Sequence, residues 1–324
     1  MTVINSANSA KVISLLNERE KRITIDWISL PQIERDLRRA LEVKALLNDA
    51  NEDLHNKRET LRKQINDAII QSVSPINMNI KRALKHRYSE HPLSARGSLE
   101  SVLGGRFSFG KIDSSRYTPR PVLYLAEDAE TALYEFNQIE KNAHPFVKDG
   151  VKYTHSELLF LKCNESDFSL ISMNCTLARV LDVRKSASLE KIVQILATVQ
   201  YSAHIRSRQK SSRVKFKTLT KAHELHTLLE NKNWRALPSF FGVPSSSQIF
   251  TEICFEYGVE AILYRSSKTK KDCLAICTNN LLLGSKITVS DKDNGIILLH
   301  ELTCENKIAA TLSSEDLKNL RNSR

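Results

Sequence analysis

No run of about 18 apolar residues occurs anywhere in this 324-residue chain, so the sequence holds no membrane-spanning helix. Glycine and proline are scarce, at 9 and 8 residues, which excludes collagen-like and low-complexity composition. The 6 cysteines, at 163, 175, 254, 273, 277 and 304, form no CxxC pair and follow no regular spacing. A chain this long has no need of disulfide staples, so they read as reduced core thiols. The segment MTVINSANSAKVISLLNEREKR has no basic stretch leading into an apolar core, and the expectation is a soluble protein of a reducing cytoplasm. No GxxxxGK[ST] loop occurs, and no GxGxxG follows a strand, so the common nucleotide-binding loops are missing. His223-Glu224-Leu225-His226 has one residue between Glu224 and His226, where a zinc-protease helix needs two to set its ligands at i and i+4. It reads as a helix surface, and no metal is expected.

What is present is ordinary globular composition, 41% hydrophobic and 26% charged, with a formal net charge of +11 and a pI near 9.3. Such a balance suits an anionic partner: nucleic acid, a membrane surface or a phosphorylated small molecule. Residues 1–80 carry 12 Lys/Arg against 11 Asp/Glu, so nearly all the excess lies in the rest of the chain.

Residues 10–71 read as helical, broken by Pro31 into a short helix and a long one starting near Gln32. Ile33, Leu37, Leu41, Ala45, Leu54, Leu61 and Ile65 recur at helical spacings, which predicts a hairpin or small bundle over 1–75. SVSPINMN at 72–79 reads as a hinge, and residues 76–324 as a second unit. There Val122-Leu123-Tyr124-Leu125 reads as a buried strand, and Asp128 as the cap of a helix. That helix turns Ala129, Ala132, Leu133, Phe136 and Ile139 to one face, with Glu135 about 60° beyond its edge. Further strands are predicted at 157–162, 178–183, 261–264, 274–277 and 296–299, and helices near 188–201, 218–231 and 247–257. HIRSRQKSSRVKFK at 204–217, with six Lys/Arg, reads as a basic exposed insertion.

Gly104-Gly105-Arg106-Phe107-Ser108, followed by VLYLAEDAETALYE at 122–135, resembles the signature of the RES domain family: a glycine-arginine-aromatic turn, a strand tyrosine and a helix glutamate. His86-Arg87-Tyr88 resembles its opening arginine segment, and WRALP at 234–238, Gln248 and EYGVEAILYRSS at 256–267 resemble its closing ones. The similarity spans roughly 84–283. It implies an α+β, ADP-ribosyltransferase-like domain with mixed β-sheets and flanking helices, preceded by the small all-α module. It also implies an NAD⁺-degrading toxin checked by a helix-turn-helix antitoxin. The chain departs from the family pattern at Ser108, where asparagine is usual, at Arg265 in place of a common proline, and in the insertion KIDSSRYTPR at 111–120.

NAD⁺ is then the substrate, and no separate cofactor is expected. Expulsion of nicotinamide leaves a neutral ring and an oxocarbenium-like ribose, so a fixed carboxylate is needed and a general acid is not. Glu135 is the candidate. Arg106 and Arg87 suit paired hydrogen bonds to the pyrophosphate, and Gly105 close approach of backbone to ligand. Tyr124 suits stacking on the cationic nicotinamide, with Tyr88 a lesser candidate of the same kind and Phe107 a further ligand contact. The resemblance asks for a serine after the 261–264 strand, either Ser266 or Ser267. The bland alternatives are a solvated helix glutamate and a core tyrosine. Hydrolysis, phosphorolysis and ADP-ribosyl transfer to a macromolecule all remain open, as does an inactive, basic nucleic-acid binder. The last is disfavoured because Phe216 is the sole aromatic of the basic segment. The amino-terminal helices are left to bind an antitoxin or to support a homo-oligomer.

Overall fold

A computed structural model describes residues 30–112, 116–138, 146–148, 151–154, 157, 168–212, 214, 216, 219–290 and 296–322. The predicted first helix, Ile139 and most of the predicted 157–162 strand lie outside the described residues. The strands are β1 Val73–Lys85, β2 Val122–Ala126, β3 Phe146–Lys148, β4 Val151–Tyr153, β5 Phe168–Asp182, β6 Ala261–Arg265, β7 Asp272–Cys277, β8 Lys286–Val289 and β9 Glu301–Thr303. The helices are α1 Leu30–Thr60, α2 Arg62–Ile70, α3 Arg96–Glu100, α4 Ala129–Asn137, α5 Glu190–Leu196, α6 Ala203–Ser212, α7 Ala222–Leu229, α8 Ala236–Phe241, α9 Ser246–Glu256 and α10 Ser314–Asn322.

The result is an α+β fold with a mixed seven-stranded sheet in the order β1-β2-β7-β6-β5-β8-β9, plus a small β3-β4 hairpin. All the pairings are antiparallel except β5 with β6. Strand β1 also pairs along its length with β5. Side chains on a strand alternate between faces, and here both faces are buried. Leu123 and Leu125 of β2, Leu263 of β6 and Leu274 and Ile276 of β7 enter one core cluster. Val122, Tyr124, Ile262, Tyr264, Cys273 and Ala275 face the other, which also holds Phe107, Phe250 and Ile253. Burial on both faces is why β2 is a continuous apolar run and not an alternating one.

The predicted hinge at 72–79 is corrected: it is the first half of β1. Pro75 is tolerated because the ladder shifts register between Ser74 and Ile76, the kind of irregularity where a strand can hold a residue without an N–H. Opposite this bulge the amides of Ala178 and Arg179 donate to Oε2 of the fully buried Glu260, at 2.8 and 2.7 Å, while Leu282 N–H donates to its Oε1 at 2.9 Å. The α2 residues Ile65, Ala68 and Ile69 join the same core as the sheet.

Three further readings are corrected. The 204–217 segment is not an exposed loop throughout, since 203–212 form α6. Its Ile205 packs with Leu46 and Ala50 of α1, and Arg208 pairs with Asp49. Residues 296–299 form no strand, yet Ile297 and Leu298 are buried, and an apolar run alone cannot separate a buried loop from a strand. On α1, Leu37 and Leu41 are exposed, while Leu46, Leu47 and Ala50 carry the buried contact. Pro31 falls within the first turn of α1, where its missing N–H costs nothing.

Candidate active site

The glycine-arginine turn is held from three sides. Gly105 N–H donates to the Ser108 carbonyl at 3.1 Å and to Ser108 Oγ at 2.8 Å, which closes a tight turn with Arg106 and Phe107 at its tip. Gly104 has φ +69°, and a Cβ there would lie 2.0 Å from the Ser108 carbonyl oxygen. Gln248, buried in the first turn of α9, donates its Nε2 hydrogens to the carbonyls of Leu103, Gly105 and Ser108 at 2.9, 3.0 and 2.8 Å. Its Oε1 accepts from Ser245 N–H at 2.9 Å, completing a capping box. Both polar atoms of this side chain are therefore engaged, Nε2 on the turn and Oε1 on the helix cap.

Tyr124 closes the third side. Its hydroxyl accepts from Phe107 N–H at 3.1 Å and shares a hydrogen with Ser108 Oγ at 3.1 Å. Burial pushes its phenol up to about 12, so it stays protonated at neutral pH. A Cβ on Gly105 would meet Tyr124 Oη at 2.3 Å, so this glycine makes room for the tyrosine ring. Phe107 is buried, with its ring 4.6 Å from that of Tyr264 at an interplanar angle of 59°. It anchors the turn in the core.

Glu135 rides on α4, whose start is fixed by Asp128 accepting from Thr131 N–H at 2.7 Å. The half-buried Glu135 receives a 2.5 Å hydrogen bond from Ser266 Oγ, at the end of β6. Ser266 Oγ in turn accepts from Lys268 N–H at 3.0 Å and Thr269 N–H at 3.3 Å. A second tie joins Thr131 and Thr269 through their hydroxyls at 3.0 Å. Of the two candidate serines, Ser266 is the one bonded to the carboxylate, and Ser267 lies buried beside it.

Arg106 belongs to the same electrostatic group: it acts on Tyr124, Tyr264 and Cys273, and Glu135 acts on the last two. Burial, with Cys273 and Glu135 adding to it, holds the Tyr264 phenol well above its usual range. Arg235, which sequence reasoning did not single out, interacts with Glu135, Arg106 and Tyr124, and burial lowers its pKa. Its guanidinium lies 4.6 Å from the ring centroid of the buried Trp234. The WRALP block was the signal that pointed to it.

Arg87 and Tyr88 lie in the exposed turn after β1, with the Arg87 guanidinium 4.8 Å over the Tyr88 ring; β1 packs on α4, the helix that carries Glu135, and Lys85 at its end pairs with Phe168, whose ring lies 6.5 Å from that of Phe136. Among the described residues no hydrogen bond, ion pair or ring contact joins them to Glu135. The structure thus gathers Gly105, Arg106, Phe107, Tyr124, Glu135 and Ser266, and adds Gln248, Tyr264 and Arg235. Among the described residues no group of three His, Cys, Asp or Glu is arranged to hold a metal ion, and no helix is long and apolar enough to cross a membrane.

No protein-family model matches the chain, and no curated protein matches it. Among solved structures it is similar to a chain of the M. tuberculosis MbcT-MbcA toxin-antitoxin complex, at 12% identity and a TM-score of 0.40, over 80% of this chain and 97% of that one.

Proposed function

We propose that this protein consumes NAD⁺ by breaking the bond between nicotinamide and ribose, as a RES-type toxin or effector whose product is cofactor depletion and growth arrest. The observation that carries the reading is the 2.5 Å Ser266–Glu135 hydrogen bond, which fixes one carboxylate beside the Arg106 turn. A preorganised charge facing developing charge is worth about 10²–10³ in rate. Glu135 stabilises the oxocarbenium-like ribose, Ser266 orients Glu135, and Arg106 binds the phosphates. Tyr124 holds the arginine turn through its hydroxyl and leaves its ring to the ligand. Water or phosphate then takes the ADP-ribosyl group. An antitoxin remains the proposed partner, with a second copy of the chain on the amino-terminal helices as another.

The test is to incubate purified protein with NAD⁺, with and without phosphate, and to follow nicotinamide and the ribosyl product. Glu135→Gln, which keeps an acceptor for Ser266, is expected to lose about 10²–10³ in kcat. Equal turnover by that variant overturns the mechanism. Label retained on protein would favour transfer to a macromolecule instead.

A further inference from the structure

The arginines of this protein that serve the fold are matched by acceptors. Arg184 pairs with Asp182 and Asp272, Arg208 with Asp49, and Arg82 donates to the carbonyls of Pro92 and Ser94. Arg106 and Arg235 are different. They act on one another as like charges, the nearby acid is Glu135, and Glu135 already accepts from Ser266. Among the described residues neither guanidinium makes a hydrogen bond or ion pair. Two cations beside one carboxylate leave a local surplus of one positive charge, and their mutual repulsion favours any anion that bridges them.

Among the described residues no ion pair holds this pair in place. Arg106 sits at the tip of a turn fixed by Gln248 and Tyr124. Arg235 lies on the ring of Trp234, itself 7% exposed, and a guanidinium stacked on an aromatic face keeps its fork of donors directed outward. Two such forks match the spread oxygens of a phosphoanhydride better than the two oxygens of a carboxylate.

We propose that Arg106 and Arg235 together form a phosphoanion clamp, with Trp234 as the platform that positions Arg235. That the anion is the pyrophosphate of a dinucleotide rests on the NAD⁺ reading, whereas the clamp itself does not.

The experiment is calorimetric titration of the full chain with inorganic pyrophosphate and, separately, with ADP-ribose, for wild type, Arg235→Gln and Arg235→Lys. Arg235→Gln is expected to weaken both ligands by about 10-fold or more, the loss of a charged hydrogen bond. Arg235→Lys falls between, because a point charge replaces the fork. Wild-type affinity of Arg235→Gln for both ligands overturns the clamp, as does failure of the wild type to bind either. Arg235-dependent binding of pyrophosphate without binding of ADP-ribose upholds the clamp and refutes the dinucleotide. Nicotinamide release by an Arg235→Gln protein of unchanged pyrophosphate affinity refutes the clamp and leaves the NAD⁺ reading standing.

Discussion

Replacement of Gly105 by alanine adds one carbon, and the structure says what that carbon meets. It would lie 2.3 Å from Tyr124 Oη, 2.6 Å from Cζ and 2.9 Å from Cε2, where carbon contacts ordinarily settle near about 3.5–4 Å. Gly105 does not have the positive φ of its neighbour Gly104, so the cost is steric and not conformational. The ring must retreat by roughly 1 Å to reach ordinary contact. That breaks the 3.1 Å hydrogen bonds from Phe107 N–H and to Ser108 Oγ. Overpacking costs about 1–3 kcal/mol, and a stranded N–H about 1–3 kcal/mol more. Gly105→Ala should therefore lose about 2–6 kcal/mol in urea unfolding, with an unchanged m-value. Nicotinamide release should fall where the protein is still folded, because Arg106 is carried on the same turn. Tyr124→Leu removes the atoms that collide, so the double variant should be less destabilised than the sum by about 1–3 kcal/mol. Gly105→Ala within about 0.5 kcal/mol of wild type, or strict additivity with Tyr124→Leu, would refute the packing argument.

Ser266→Ala removes the donor that fixes Glu135, and a hydrogen bond to a charged group is worth about 1.5–3 kcal/mol. Its kcat for nicotinamide release should fall about 10–100-fold with KM little changed, whereas Ser267→Ala should behave as wild type; the reverse order would move the role to Ser267. A pH effect on stability follows from His91, which is 3% exposed, with Nε2 lacking a hydrogen-bond partner. Burial, with Arg82 nearby, pushes its imidazole down to about 4 from 6.5. Below pH 6.5 the unfolded chain takes up a proton that the folded one refuses until about pH 4, so stability falls as pH drops through that window, by about 3 kcal/mol in all. Urea midpoints between pH 7 and 5 should show this slope for wild type and a flatter one for His91→Phe.

The parts of the fold legible in the sequence are those where one local signal dominates. Strand β2 is a continuous apolar run because both of its faces are covered. Helix α4 begins at Asp128 because its carboxylate satisfies an amide that the helix leaves open. The amino-terminal half of β1 was illegible because Pro75 carries two meanings. In isolation it marks a hinge, and only the partner strand, with its register shift and the Glu260 carboxylate that receives the displaced amides, makes it a strand residue. The position of the apolar face of α4 was also misjudged. Tyr134 is buried there, and an aromatic with a polar tip was left out of the apolar stripe.

At the site, the sequence pattern brought out Gly105, Arg106, Tyr124, Glu135 and Ser266, which the fold gathers from a turn, a strand, a helix and a hairpin loop. The assumed division of labour was less legible. Phe107 was read as a ligand contact and lies in the core, and Gly105 was read as space for a ligand and is space for Tyr124. Both follow from one fact that spacing does not carry: the turn folds back onto β2 and not toward solvent. Gln248 was named only among the closing segments of the resemblance and given no role, because a single glutamine with all its polar atoms engaged looks no different in sequence from a surface one.

Net charge shows the same limit in another form. A total of +11 invites a nucleic-acid reading, and the densest basic segment, 204–217, was its natural seat. Yet Arg208 there meets Asp49, and Asp53 accepts from Ser202 N–H at 2.8 Å just before α6, so acids of α1 are spent on holding this segment to the body. Charge used in that way positions helices and is unavailable to a partner without undocking them. Arg106 and Arg235 contribute little to the total, but they are placed where, among the described residues, no acid other than the engaged Glu135 answers them, and it is that local imbalance, not the sum, that points to an anionic ligand.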